Sequence, residues 1–153
     1  MTLAEQLVAD LRAAMVAGDT RRRDVIRFLR ASITNAQIEK HRELTDEEIQ
    51  DVIRGQVKQR RDAIDMFRKG GREELVESET AEIAILQDYL PQQLSEDEVR
   101  EIVQRVAEEL GASGPRDMGR LMPELMKATG GRVEGRTLST LARAELDRRA
   151  AAN

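Results

Sequence analysis

No helix can be drawn through Asp88–Val99, DYLPQQLSEDEV, yet the chain reads as helix on both sides of it. Proline has no amide hydrogen to donate to a helix interior, and its ring biases the preceding residue, Leu90, toward extended backbone. A helix arriving from the N-terminal side therefore stops there. Shortly after, Ser95 and Glu98 have the spacing of a capping box, in which the hydroxyl accepts from the third amide of a new helix and the glutamate reaches back to the cap. The apolar series Val99, Ile102, Val103, Val106, Leu110 follows at once, so a second helical region begins. The expected organisation is a helical domain over 1–90 of about four helices, a small three-helix tail domain over 95–153, and a short hinge at Pro91.

The same signals recur along the chain. Thr2 with Glu5 opens a helix whose Leu3, Leu7, Leu11 and Met15 repeat every four residues, and Gly18 closes it. Asp19 caps a second helix with the apolar face Val25, Ile26, Leu29 and Ile33, fading near Arg42. Thr45 with Glu48 opens a third, which runs through Ile49, Ile53, Val57, Ile64 and Phe67 to Gly70 and Gly71. A fourth extends from about Arg72 to Leu90. In the tail, one helix covers about Glu96 to Leu110, and a second starts at Pro115 and should be kinked or shortened by Pro123. The glycine-rich connection TGGRVEG (129–135) leads into a last helix carrying Leu138, Leu141 and Leu146. Period-two alternation is sustained nowhere, so the fold class is all-α.

Composition narrows the function. There is no cysteine, hence no disulfide and no thiolate metal site. The N-terminus enters an amphipathic pattern directly, and no run of apolar residues is long enough to span a bilayer. From these features a soluble, cytoplasmic protein with no membrane role is expected. Net charge is −4, but residues 52–72 hold seven Lys or Arg against two Asp, while 92–110 hold two against six. Local patches therefore count for more than the total. Phe28, Phe67 and Tyr89 are the only aromatics, too few for a base-stacking platform. His41 is the single histidine, at a charged helix end. No phosphate loop, nucleophile–base pair or metal-ligand spacing accompanies it, so no catalytic residue, metal or cofactor is expected.

Two basic constellations are candidates for a binding site. Arg54, Lys58, Arg61 and Arg68 share one face of the third helix, a row that could follow a phosphate ridge and equally could be a solvated face. Arg120, Lys127, Arg132 and Arg136 surround Gly130, Gly131 and Gly135, where glycine allows close backbone approach and the start of the last helix offers amides to an anion. Arg60 reads differently. It falls in the middle of the third helix's apolar face, where a lone cation is costly. Folding back at Gly70–Gly71 would bring it to Glu79, with Glu82 as the alternative partner.

The stretches ELTDEEIQDVIRGQVKQRRDAIDMFRKGGREEL, AEIAILQDYLPQQLSEDEV, DMGRLM and GRVEGR, in that order and spacing, resemble the YqeY-like family along essentially the whole chain. That family is similar to the C-terminal tail of the B subunit of the aspartyl/glutamyl-tRNA amidotransferase. The resemblance implies an all-helical fold and a tail that touches the body of tRNA. It implies no active site, because the kinase and amidase chemistry of the large enzyme lies outside this tail, although the chain could be classed through its relative with carbon–nitrogen ligases that use glutamine as amido-N-donor. The expected function is an accessory tRNA-binding protein, with Arg120, Lys127, Gly131, Arg132, Gly135 and Arg136 as the leading contacts and Arg54, Lys58 and Arg61 as a further set. The alternative is an interaction module that docks on an aminoacyl-tRNA synthetase or an amidotransferase component.

Overall fold

The structure, a computed structural model, describes residues 1–153. It is all-α: α1 (Leu3–Ala17), α2 (Thr20–Lys40), α3 (Asp46–Lys69), α4 (Glu73–Gln87), α5 (Glu96–Leu110), α6 (Met118–Thr129) and α7 (Gly135–Ala152), with a 3-10 turn at Pro115–Asp117 leading into α6. The chain divides into two compact units, Met1–Leu90 and Pro91–Asn153.

Local chemistry sets the helix starts. The hydroxyls of Thr2, Thr45 and Ser95 accept from the amides of Glu5, Glu48 and Glu98 at 3.1, 3.1 and 3.2 Å. Each glutamate in turn accepts from the amide of its capping residue, so all three capping boxes form. Arg42 and Lys40 also close on Glu48, and these bonds, the Arg42 one foremost, hold its carboxyl well below the usual range. The stop of α2 is less ordinary. His41 takes the left-handed conformation, φ 55°, that glycine normally supplies at a helix end. The amide of Arg42 reaches back over it to the carbonyl of Gln37.

In the first unit α3 and α4 fold back on each other about Gly70–Gly71, and Ile49, Ile53, Val57, Ile64, Ile83 and Leu86 join Leu7, Val25, Ile26 and Leu29 in the core. Arg60 lies in this hairpin with 17% of its side chain exposed and bonds both candidate partners at once. The distance to Glu79 is 3.1 Å, and a shorter bond runs to Glu82. The α4 helix ends at Gln87, three residues before the expected stop at Leu90. Tyr89 and Leu90 close turns onto the carbonyls of Leu86 and Gln87. The segment is also tied sideways: the Tyr89 hydroxyl donates to Asp10 of α1 at 2.5 Å, and Arg22 of α2 reaches Asp88 at 3.7 Å. Burial, then the Asp10 carboxylate, push the Tyr89 phenol well above its ordinary value.

The second unit closes its own core from Val99, Val103 and Val106 of α5, Leu121 and Leu125 of α6, and Leu138, Ala142 and Leu146 of α7. Pro123 does not end α6, which continues to Thr129. The amide that proline lacks would have met the carbonyl of Gly119. Both residues are exposed, so water can satisfy that carbonyl and the helix survives the loss.

Candidate nucleic-acid interface

The connection from α6 to α7 takes its direction from two consecutive left-handed residues, Gly130 at φ 55° and Gly131 at φ 75°. A side chain at either position would strain the backbone. There is open space around Gly130 and Gly135, so glycine serves the direction of the chain here more than close approach by a neighbour. Thr129, buried, ends α6 by donating its hydroxyl to the carbonyl of Leu125 at 2.8 Å. Arg132 then fixes the loop. Its amide donates to Thr129 at 2.9 Å, its carbonyl accepts from Leu94 at 2.8 Å, and its Nε donates to the carbonyl of Gln92 at 3.0 Å. The loop and the segment after Pro91 are thus sewn together through one residue, whose guanidinium stays exposed.

Arg136 follows in the first turn of α7, also exposed. Glu134, at the cap, does not cap the backbone amides of that turn with its side chain. Lys127 lies one turn before the loop with 78% of its side chain exposed, against Glu124 at 3.5 Å. Lys127, Gly131, Arg132, Gly135 and Arg136 are therefore gathered at one end of α6. Arg120 is not among them. Ten residues of helix at about 1.5 Å each put it roughly 15 Å from Gly130, in the first turn of α6. There it donates to the carbonyl of Leu110 at 3.1 Å and to Asp117 at 2.9 Å. Asp117 also accepts from the amides of Ser113 and Gly114 at 2.7 and 3.3 Å, and the Ser113 amide, then Arg120, bring its carboxyl down to about 2. This corner holds the α5–α6 connection together.

The α3 row belongs to the other unit, and its charges are largely answered. Arg54 pairs with Asp51 at 2.8 Å and Lys58 with Asp62 at 3.5 Å. Arg61 is half-buried and Arg68 exposed. The Nε of Arg54 is buried without a partner.

Sequence reasoning missed one charged cluster altogether. Glu145 of α7 is 6% exposed, and its carboxylate accepts from Arg148 at 2.6 Å and Arg149 at 2.9 Å, while Arg149 extends to Glu108 and to the carbonyl of Gln104 on α5. Arg148, then Arg149, lower its pKa against the opposing effect of burial. The signal was present in the sequence as an acid on the same stripe as Leu138, Ala142 and Leu146.

A profile of the family described as Yqey-like protein matches residues 4–146. The chain is 37% identical over 112 residues to altered inheritance of mitochondria protein 41, mitochondrial, of Lachancea thermotolerans, a match covering 71% of this chain and 60% of that protein. To the protein of the same name in Pyrenophora tritici-repentis it is 33% identical over 130 residues, 84% of this chain and 71% of the relative. In Kluyveromyces lactis the figures are 40% over 84 residues, 54% and 45%. The match therefore spans between about half and 71% of the length of these curated relatives. None of the names specifies a reaction. They overturn the cytoplasmic location expected from the sequence, because each relative is named as mitochondrial. That expectation rested on freedom from cysteine, an amphipathic pattern at the N-terminus and the lack of a helix long and apolar enough to cross a membrane, none of which separates one aqueous compartment from another.

Proposed function

The chain belongs to the YqeY-like family, and on that premise we propose that it is an accessory tRNA-binding protein that reads folded RNA by shape and backbone and carries out no chemistry of its own. The observation that carries this reading is the glycine-rich loop. Its backbone is fixed by two left-handed glycines and by the bonds of Arg132 to Gln92 and Leu94, so an exposed cation is held in place before any ligand arrives. A group positioned in advance gives up little freedom when it meets a phosphate. Arg136 and Lys127 add cations around the C-terminal end of α6, and the start of α7 adds amides free of a side-chain cap. The likeness of the tail half to the tRNA-contacting tail of the amidotransferase B subunit selects RNA among polyanions. The relatives' names support a mitochondrial setting.

Binding of tRNA to the full chain, followed by fluorescence anisotropy at low and moderate salt, tests the proposal. Wild type should bind at low salt and lose affinity steeply as salt rises. The variant Arg132→Glu/Arg136→Glu should lose about 1 kcal/mol or more per site and flatten the salt slope by about one unit per lost phosphate contact, with the fold retained. Unchanged affinity and slope in that variant remove the loop from the site. No binding by wild type at low salt rejects the RNA reading in favour of docking on a synthetase or amidotransferase component.

A further inference from the structure

The first turn of α2 departs from the pattern of α3 and α5, which open on the acids Asp46–Glu48 and Glu96–Glu98, where the positive end of a helix favours them. The α2 helix opens on Thr20, Arg21, Arg22 and Arg23, with no acid in the turn. Its arginines continue at Arg27 and Arg30. From Arg12 to Arg30 the chain holds six arginines against two acids, Asp19 and Asp24. Both acids are engaged at the start of the helix, Asp19 with Arg22 and Asp24 with Arg23. Arg12, Arg27 and Arg30 are exposed and hold no salt bridge.

The packing of α1 on α2 sets these three on adjoining helices of one hairpin. Arg27 crosses to the Sδ of Met15 at 3.8 Å. One turn from Met15 toward the N-terminus is Arg12, and one turn from Arg27 toward the C-terminus is Arg30. Because the helices are joined at Gly18–Asp19 and run in opposite senses, both steps lead away from the connection and keep the five-residue offset between Met15 and Arg27, so Arg12 and Arg30 lie roughly 7 Å apart along the hairpin axis. Arg23, Arg27, Arg30 and Thr34, at spacings of four, three and four, form one stripe of α2. Like charges gathered on an open face oppose folding, and a sequence that departs from local stability in this way does so at a functional surface.

We infer that this α1–α2 face is a second seat for the phosphate backbone of a folded RNA, separate from the glycine-rich loop. A lipid surface fits it less well. The stripe of α2 continues into Thr34 and Phe28 is turned about 100° away from Arg27, so Met15, which Arg27 touches, is the one exposed apolar side chain in contact with it, where a membrane-seated helix would present a continuous apolar face. The inference rests on the RNA reading for its ligand only, since its residues belong to the other unit.

The test is anisotropy titration of a labelled tRNA transcript with the full-length variant Arg12→Glu/Arg27→Glu/Arg30→Glu, beside wild type and Arg132→Glu/Arg136→Glu. Circular dichroism melts check the fold, and glutamine replacements serve if the glutamate variant melts early. The expected result is at least a tenfold loss of affinity at low salt and a salt slope reduced by about two to three units. If only the loop variant weakens binding, this inference falls and the preceding proposal stands. If only the arginine-face variant does, this inference stands and the glycine-rich loop leaves the site. Wild type that binds no RNA ends both. Wild type that ignores RNA and floats with vesicles of about three parts phosphatidylcholine to one part phosphatidylglycerol hands the face to lipid.

Discussion

Arg60 meets two carboxylates at once, and the consequence of losing it is larger than that of losing an ordinary surface pair. Glu79 and Glu82 are about four-fifths buried, so Arg60→Ala leaves two acids in poor solvent with nothing to answer them. The expected cost is about 3–5 kcal/mol, and replacing all three residues with apolar ones should recover much of it. Urea unfolding of the two variants measures this, and a triple variant no more stable than Arg60→Ala would contradict it. Tyr89 allows a cleaner experiment, because it is the only tyrosine in a chain without tryptophan. Its phenol is held protonated by burial and by the Asp10 carboxylate. With the folded value raised, this contribution to stability is complete below the free-phenol value of about 10 and is lost as pH climbs above it. Phenolate absorbance should therefore appear later in folded than in urea-unfolded protein, and Asp10→Asn should bring it earlier. A wild-type titration at the free-phenol value would refute the assignment.

At the level of single helices, what could be read from the sequence was whatever the local chain decides. Thr2–Glu5, Thr45–Glu48 and Ser95–Glu98 each hold both partners of a cap within one turn, so spacing alone identifies them. The end of α4 was harder to place, because the turn that closes it is held by Asp10 and Arg22, residues far away in the sequence. The glycine-rich loop was visible as composition, but its attachment to Gln92 was not, since the two residues are 40 apart. Arg120 was grouped with the loop by proximity in sequence, and the length of α6 separates them. Glu145 gives a test at this scale. Its folded pKa is lowered, so its contribution is present above the unfolded value of about 4.3 and disappears as pH falls through the folded one. The stability gap between wild type and Glu145→Gln should be widest near neutrality and close in acid. A gap that stays constant with pH would show that the carboxylate's charge plays no part. Arg148→Ala/Arg149→Ala should cost about 3 kcal/mol at neutral pH by stranding the same group.

The whole chain contains two compact units, each closed around its own apolar core, and all three aromatic residues belong to the first. Leu121→Ala removes a fully buried side chain from the second core at a cost of about 2–5 kcal/mol. Helicity should then be lost in an early step to which the near-ultraviolet signal of Tyr89 is blind. A single transition seen identically by both probes would mean that the units unfold as one. Arg132 has a further effect at this scale, one of length. By holding Gln92 and Leu94 it closes the 40 residues between Gln92 and Arg132 into one loop. A phosphate that drew the guanidinium from Gln92 would leave that loop closed by the amide of Leu94 alone, whose side chain packs on the second core.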